Sequence, residues 1–299
     1  MVILGALLAI SIGSAGTAAA APHALVRTER AVVPRASYWT RARMLAAAGS
    51  ASSSLAAGGE WVRGALWKGG GAVARTTGRV FFLLDGIDYA CSGAVVSGAN
   101  PDLVVTAAHC VSDGSGGWAQ DWTFVPGYVD GRAPYGRYPA QAYYVSGAWA
   151  HGANENDDVA FVAVRPVRVN GALRDVASEV GSQPILFGYR SPAEAVFGYP
   201  AEAPFSGRQI DYCHGPVTPD PYGAADAGIP CGMTEGDSGG PWLSDFDPAG
   251  GAGIITGVTS FKYAGANRTL YSADLGRVAQ ALYVSAEHGP SHRSPRRHG

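Results

Sequence analysis

Three residue types that together can carry out acyl transfer occur in this chain in a fixed order. Ser238 lies between glycines in residues 236–241, where a tight loop can turn backbone N–H groups toward one point. His109 ends an apolar run and precedes a cysteine, so a covalent bridge would hold its ring in place. Asp158 opens a run of six apolar residues, 159–164. From there a carboxylate can accept a hydrogen bond from the imidazole and stabilise its protonated form.

The glycine-flanked serine also fits a different fold. The pattern Gly-x-Ser-x-Gly occurs at the strand-to-helix turn of α/β-hydrolases, where the acid and the histidine follow the serine. Here 61 residues follow Ser238, and their histidines, His288, His292 and His298, lie close to the C-terminus. Chain order therefore excludes the α/β-hydrolase interpretation.

With the motifs around His109 and Ser238, the chain resembles the trypsin-like (chymotrypsin-fold) serine proteases, particularly their secreted bacterial members, over residues 79–286. The resemblance implies that His109 is general base and then general acid, Asp158 its orienting acid and Ser238 the nucleophile. The N–H groups of Gly236 and Ser238 would form the oxyanion hole. Asp157 is the alternative acid, and Asp158 is preferred because the family's aspartate directly precedes the apolar strand.

Four cysteines are present: Cys91, Cys110, Cys213 and Cys231. In an exported chain an even number favours disulfides, and of three possible connectivities Cys91–Cys110 with Cys213–Cys231 closes the shortest loops. Neither pair has the spacing of a zinc knuckle, so no metal is expected. The first pair matches the family's bridge beside the catalytic histidine. Cys231 lies seven residues before Ser238, whereas the trypsin pattern places its cysteine four residues before the serine. The wall of the substrate pocket is therefore bridged differently, and trypsin's substrate specificity cannot be assigned to this chain.

The residues that match the family's specificity pocket include no acidic residue at the base of that pocket. Gly232 and Met233 stand at the floor, and Ser260, Phe261 and Lys262 align with the strand that pairs with substrate. Lys262 replaces a glycine that usually leaves the pocket open. One hypothesis is that Lys262 favours an acidic or polar substrate residue, and the alternative is that it is a solvated side chain on the rim.

Asp237, the residue before the nucleophile, needs a positive partner if it is buried. In trypsin that partner is the amine released at an Ile-Val-Gly-Gly start, which this chain lacks; Val80-Phe81 after Arg79 is the nearest imitation. Two alternatives follow. Either proteolytic processing creates an N-terminal amine within residues 71–80 that pairs with Asp237, or the side chain of an internal arginine is its positive partner.

The elements that must position these residues are mainly strands. With 42 Gly and 19 Pro and only 15% charged residues, the composition excludes a coiled coil and most helical bundles. Short β-rich runs separated by turn residues predict antiparallel sandwiches or barrels, with an Asp85-Gly86 hairpin turn. The runs are 80–84, 87–91, 94–96, 103–106, 123–125, 142–145, 159–164, 184–187 and 253–261. Together with the resemblance, they predict an all-β fold of two six-stranded antiparallel β-barrels with a short C-terminal helix over 273–286.

Charge and composition divide the chain into four parts. Residues 1–21 read as a signal peptide, 22–78 as a basic propeptide or linker, 79–286 as the protease domain and 287–299 as a disordered tail. Residues 22–79 hold nine cationic and two acidic side chains, whereas residues 80–285 hold ten and 21, a net charge of −11. We therefore expect the leader, with a possible short helix over 37–48 containing Trp39 and Met44, to dock on the acidic body and restrain or assist folding of the precursor.

The predicted function is that of a secreted serine endopeptidase with an acyl-enzyme intermediate and protein or peptide substrates. No cofactor, nucleic-acid partner or stable membrane association is expected, and we expect a monomer. Two alternatives stay open. One is a catalytically silent protein of this fold that serves as a binding or adhesion module, and the other is a structural protein tethered to the surface by an uncleaved first segment.

Overall fold

Two antiparallel β-sheets, each curved around its own apolar interior, position the residues singled out above. They are seen in a computed structural model that describes residues 26–33, 35, 37–47, 64–265 and 268–289. The predicted signal peptide and residues 290–299 of the predicted tail lie outside the described residues. Within the described ranges, no helix has both the length and the apolar character needed to cross a membrane.

The first sheet forms a closed barrel of six strands. Its order is β1-β7-β6-β3-β4-β5-β8, and a further pairing of β7 with β8 closes the ring, leaving β1 outside on β7. These strands are β1 (Val26–Arg30), β3 (Thr77–Leu84), β4 (Ile87–Val95), β5 (Leu103–Thr106), β6 (Gln120–Pro126), β7 (Tyr138–Ser146) and β8 (Ala160–Val164).

The second sheet has eight strands in the order β13-β14-β17-β16-β15-β11-β12-β2. They are β2 (Ala65–Leu66), β11 (Ala193–Gly198), β12 (Asp211–Pro216), β13 (Thr218–Pro219), β14 (Ala227–Pro230), β15 (Pro241–Asp247), β16 (Ala252–Phe261) and β17 (Thr269–Asp274). Between β12 and β14, no strand pairing is present in the described part of the chain. The Cys213–Cys231 disulfide bridges this seam, with 5.8 Å between the two Cα atoms. The predicted two-barrel, all-β fold is confirmed, with the second barrel open at one seam.

Short elements complete the chain. A two-stranded sheet joins β9 (Val167–Val169) to β10 (Ala172–Arg174). The helices are α1 (Arg41–Ala47), α2 (Gly71–Thr76), α3 (Gly147–Gly152), α4 (Val176–Val180) and α5 (Arg277–Glu287). The C-terminal helix predicted over 273–286 runs from Arg277 to Glu287, because Ala273 and Asp274 belong to β17. Leu282 in this helix is fully buried, whereas Val284 is 48% exposed.

Local sequence explains one hairpin and one missing strand. Asp85 and Gly86 both have positive φ, 50° and 81°, which suits the two-residue turn that joins β3 to β4. The run 184–187 forms no strand and contributes only a single bridge from Ile185 to Ile255. Pro184 has no N–H to donate, and Gly188 at φ 68° turns the chain away.

A continuous apolar cluster joins the two barrels. Phe81 and Phe161 from the first barrel share it with Phe197 and Leu243 from the second, and Leu282 of α5 packs into it as well. A separate cluster fills the first barrel around Trp122, and a smaller one fills the second around Trp242. The barrels are thus held against each other by apolar contact, which fixes the relative position of side chains from both.

Part of the segment predicted to be a basic propeptide or linker packs on the outside of the first barrel, and its described residues are called the leader below. Strand β1 pairs antiparallel with β7 from Val26↔Ser146 to Arg30↔Ala142. The Arg35 guanidinium forms an ion pair with the buried Asp121 carboxylate at 2.5 Å. Trp39 and Met44 are buried, at 5% and 0% exposure. The helix predicted over 37–48 begins only at Arg41, so α1 contains Met44 whereas Trp39 precedes it. The described leader residues therefore dock on the body, as the charge distribution predicts.

Candidate active site

His109 lies on a single helical turn, Ala108–Cys110, directly after the buried strand β5. Cys110 in that turn is bonded to Cys91 of β4, with 6.2 Å between the two Cα atoms. The bridge and the strand fix the backbone on both sides of the histidine, while its side chain keeps 35% of its surface exposed. The imidazole is therefore held firmly but can still be reached from solvent.

Asp158, rather than Asp157, faces the histidine. It is 3% exposed and lies just before β8, which pairs with β5 and so brings the two residues together. Its Oδ2 lies 2.8 Å from His109 Nδ1, and its Oδ1 accepts a hydrogen bond from the His109 backbone N–H at 2.9 Å. The hydroxyl of Ser260, from β16 of the other barrel, donates to the same Oδ2 at 2.5 Å.

These contacts shift the pKa values of both groups. Burial by itself lowers the pKa of His109, but the charge and hydrogen bond of Asp158 outweigh it and the pKa is raised. Burial would raise the pKa of Asp158, but the attraction of His109 and the bonds from His109 and Ser260 hold it below its usual value. The arrangement therefore favours an ionised carboxylate beside a basic imidazole, with Nδ1 occupied and Nε2 left to exchange a proton.

The nucleophile loop, residues 234–240, presents Ser238 as a half-buried side chain between two glycines that no other residue replaces easily. Gly236 has φ 99°, and a Cβ there would lie 2.7 Å from the Tyr199 carbonyl oxygen. Gly239 has φ 79°, and a Cβ there would collide with Thr106 and Ser92 of the first barrel. The glycines thus allow the loop to approach the histidine side of the molecule closely.

Two backbone amides in this loop are available to a ligand. In the part of the chain that the structure describes, neither the Gly236 N–H nor the Ser238 N–H donates to a backbone carbonyl. The carbonyl oxygens on the opposite sides of the loop are engaged, since Glu235 O accepts from the Ala201 N–H at 2.7 Å and Ser238 O accepts from the Ser92 N–H at 2.7 Å. Free amides beside a serine are the arrangement that binds a developing oxyanion.

The residues predicted to line the substrate pocket fall into two groups. Gly232 is half-buried, and Met233 is fully buried against the Cys213–Cys231 disulfide and Trp242. Met233 would thus shape a pocket wall from behind without touching substrate. Ser260, Phe261 and Lys262 follow one another at the end of β16, with the Ser260 side chain turned to Asp158.

Lys262 is half-buried, and its Nζ donates to the Cys231 carbonyl oxygen at 3.0 Å. The ammonium therefore reaches across to the chain that leads into Gly232, which does not fit a freely solvated rim residue. Burial lowers the pKa of Lys262, whereas the negative charges of Asp237 and Glu202 raise it.

Asp237 is buried, and among the described residues its Oδ2 has no hydrogen-bond partner. Burial raises its pKa to about 7, and the nearby positive charge of Lys262 opposes that shift most strongly. The buried Arg79 guanidinium instead donates to the carbonyl oxygens of Gly207 and Tyr199. A cut within residues 71–80 would interrupt α2 or the paired strand β3.

Metal ligation has one candidate in the described ranges. Cys91, His109 and Cys110 have donor atoms within 4.8 Å of one another. Both sulfur atoms are joined in the disulfide, so neither can act as a thiolate ligand. The two cysteines therefore serve to hold the turn that carries His109.

The sequence profile of the trypsin family matches residues 69–282. The chain belongs to the trypsin family. The solved structure of the protease Anisep from Arthrobacter nicotinovorans is 38% identical, with a TM-score of 0.66, over 72% of this chain and 96% of Anisep. The thermostable serine protease AL20 from an extremophilic microorganism is 33% identical, with a TM-score of 0.66, over 73% of this chain and all of AL20. This trypsin-family chain is therefore a serine-type peptidase.

A further relative is the "Extracellular metalloprotease" of Bacillus subtilis (strain 168), which is 32% identical over 125 residues. The match includes 39% of this chain and 35% of that protein, so the similarity reaches about a third of the relative's length.

The trypsin-family profile begins at residue 69, ten residues before the start of the protease domain expected at Arg79. Helix α2 and the start of β3 account for the difference, because Val73 and Thr77 are fully buried.

Sequence reasoning missed two roles at this trypsin-family site. Ser260 was expected only to meet the substrate, but its hydroxyl holds the Asp158 carboxylate. Ser92, the neighbour of Cys91, was not singled out, although it contacts the nucleophile loop. The sequence signal for Ser92 was its position next to Cys91, whose predicted disulfide partner follows His109. That position did not reveal which groups the serine would contact, because a single small polar residue forms no periodic pattern.

Proposed function

We propose that this chain is a secreted serine endopeptidase that cleaves peptide bonds through an acyl-enzyme intermediate. The observation that supports this most is the bond of His109 Nδ1 to the buried Asp158 carboxylate, in a site where the nucleophile loop meets the first barrel. With Nδ1 held, Nε2 is the nitrogen that takes the proton from Ser238 Oγ as that oxygen attacks the substrate carbonyl carbon.

In the proposed reaction, the carbonyl oxygen becomes an oxyanion that accepts hydrogen bonds from the N–H groups of Gly236 and Ser238. Protonated His109, stabilised by Asp158, then gives its proton to the leaving amine, and the acyl group stays on Ser238. A water molecule repeats the sequence with His109 as base and releases the acid. Two disulfides and the extracellular relative from Bacillus subtilis support secretion.

A fluorophosphonate probe tests this proposal. We expect the chain to be labelled once, on Ser238, and labelling to fall by about 10³-fold or more in His109→Ala because the serine loses its base. Ser238→Ala should not be labelled, and His151→Ala, which changes an exposed histidine, serves as the matched control. A folded parent chain that is neither labelled nor able to cleave a denatured protein would favour the silent binding module.

We further propose that Lys262 selects an acidic or polar residue at the substrate position next to the scissile bond. Its ammonium reaches the Cys231 carbonyl beside Gly232, so a substrate carboxylate entering there would meet a positive charge. Cleavage of a peptide library should show that Lys262→Ala loses its preference for Glu or Asp by about tenfold or more, while Lys68→Ala, at an exposed lysine, keeps it. An unchanged preference in Lys262→Ala would sink the hypothesis.

A further inference from the structure

Ser92, in β4, contacts the nucleophile loop at two points. Its backbone N–H donates to Ser238 O at 2.7 Å, and its hydroxyl donates to Gly236 O at 2.8 Å. The same hydroxyl accepts from the Tyr199 N–H at 2.9 Å, and the residue is fully buried. One side chain of the first barrel thus holds a loop of the second.

The bond to Gly236 O matters because of the peptide planes on either side of Gly236. Since a peptide unit is planar, fixing its carbonyl also fixes the direction of its N–H. Glu235 O is held by the Ala201 N–H at 2.7 Å, which turns the Gly236 N–H the other way. The next peptide plane, between Gly236 and Asp237, is held by the Ser92 hydroxyl.

Glycine at positive φ has a wide choice of backbone angles. The bond that the loop itself makes to the Gly236–Asp237 peptide, from the Asp237 N–H to the Thr234 carbonyl oxygen, is long at 3.3 Å, so the Ser92 hydroxyl at 2.8 Å is its closer partner. Without the Ser92 hydroxyl, a buried carbonyl of Gly236 and a buried N–H of Tyr199 would both lose their partner. Rotation of the Gly236–Asp237 peptide would relieve the first loss. Because this peptide joins the two planes that carry the Gly236 and Ser238 N–H groups, its rotation would change the angle between those two amides.

We infer that Ser92 is a positioning residue of the oxyanion hole: its hydroxyl fixes the Gly236–Asp237 peptide and so keeps the two N–H groups aimed at one point. This inference rests on the proposed function of Ser238 and of those amides. Ser92 acts through the loop and has no contact with substrate.

The test compares Ser92→Ala with Ser146→Ala. Ser146 is also buried, at 2% exposure, and its hydroxyl accepts from the Trp149 N–H at 2.8 Å, so its loss removes a comparable bond in the first barrel. For Ser92→Ala we expect kcat to fall by about tenfold or more with KM changed less than threefold, since loss of a whole oxyanion donor costs about 10²- to 10³-fold.

A peptide aldehyde of the best-cleaved sequence supplies the readout that a merely structural role would not move. Its adduct with Ser238 places an oxygen in the oxyanion hole, so its inhibition constant should rise in Ser92→Ala by the factor by which kcat/KM falls. Ser146→Ala should leave both constants within twofold of the parent values while lowering the unfolding temperature.

Ser92→Ala with the parent's kcat and aldehyde affinity would overturn the inference, and so would equal losses in Ser146→Ala. If Ser92→Ala does not fold, Ser92→Cys keeps nearly the same shape with a weaker donor, and parent-like aldehyde affinity in that variant has the same meaning. An unreactive parent would overturn the proposed function and this inference together. A reactive parent with an unaffected Ser92 variant overturns this inference alone.

Discussion

At the scale of single residues, the pKa of His109 depends on other charges besides that of Asp158, to which it is hydrogen-bonded. Asp158 raises its pKa most among the acids, and Asp237 and the exposed Glu235 of the nucleophile loop raise it further. Because the proposed base must be neutral to act, a raised pKa moves the acid limb of the pH–rate profile to higher pH.

Glu235→Gln should therefore move the acid limb of kcat/KM to lower pH by a few tenths of a pH unit. Its side chain is exposed, so the shift should shrink as salt is added and screens the charge. A pH–rate profile at low and high salt measures it, with Asp85→Asn in the β3–β4 turn as control. A shift to higher pH, or one that salt does not alter, would contradict the assignment.

At the scale of elements, the two disulfides offer a matched pair. They join residues 19 and 18 positions apart, so the chain entropy that each removes from the unfolded state is nearly the same. Their surroundings differ, because one holds the His109 turn and the other spans the open seam of the second barrel beside the proposed pocket.

We expect Cys91→Ser/Cys110→Ser and Cys213→Ser/Cys231→Ser each to lower the free energy of unfolding by about 2–4 kcal/mol. Only the first should lower kcat strongly, since it releases the histidine, whereas the second should mainly raise KM. Urea unfolding and steady-state kinetics of both variants separate the effects. The reverse assignment of kcat and KM losses would show that the seam, and not the histidine turn, controls the chemistry.

Two carboxyl groups lie close together at the start of α4, that of Asp175 just before the helix and that of Asp102, which comes just before β5. Asp102 is 1% exposed, and its Oδ1 accepts from the Val176 N–H at 3.0 Å. Burial and the nearby Asp175 raise the pKa of Asp102 to about 7. A carboxyl whose folded-state pKa is raised stabilises the fold most below its unfolded pKa of about 4, and that contribution is lost as pH rises through about 7.

Asp102→Asn should keep the bond to Val176 and remove the charge. We expect it to raise the free energy of unfolding by about 1–3 kcal/mol at pH 8 relative to the parent, and to give little or no gain at pH 4. Asp175→Asn should act in the same direction with a smaller effect. Urea unfolding at both pH values checks this, and a larger gain at pH 4 than at pH 8 would show the sign to be wrong.

At the scale of the whole molecule, the net charge of −2 is the sum of +7 on residues 22–79, −11 on residues 80–285 and +2 on residues 286–299, and the described parts of the basic and acidic segments touch each other. Arg35 and Arg43 of the leader pair with Asp121 and Asp88 of the barrel. Trp39 adds an apolar anchor against Phe81, and its Nε1–H donates to Asp121 O at 2.6 Å. These contacts favour a leader that supports the first barrel over one that acts only as a tether.

Trp39→Ala should release residues 26–47 and make them susceptible to proteolysis, with a lower unfolding temperature, whereas Val33→Ala, at a 75% exposed residue, should do neither. Adding a peptide of residues 26–47 at low salt to a form that lacks them should restore stability or speed refolding. Inhibition of that form by the peptide would instead favour a restraining propeptide, and no effect would leave the leader a tether.

The sequence by itself determined the family, the all-β fold, the order of His109, Asp158 and Ser238 and the pairing of the cysteines. These follow from local patterns: glycines around a serine, a polar residue at each end of an apolar run, and short cysteine spacings. The strand over 184–187 and the start of the last helix were wrong. Pro184 has no N–H to donate to a strand partner, and Ala273 and Asp274 pair with β16 as the end of β17.

Only the tertiary structure decided which groups distant in sequence meet, either across the two barrels or within one of them. Ser260 on Asp158, Ser92 on Gly236 and Lys262 on the Cys231 carbonyl each join residues 31 to 144 positions apart. The physical reason is that a single polar side chain leaves no periodic trace of its partner, since a buried hydroxyl or ammonium takes whichever carbonyl or carboxylate the packing brings within hydrogen-bond distance.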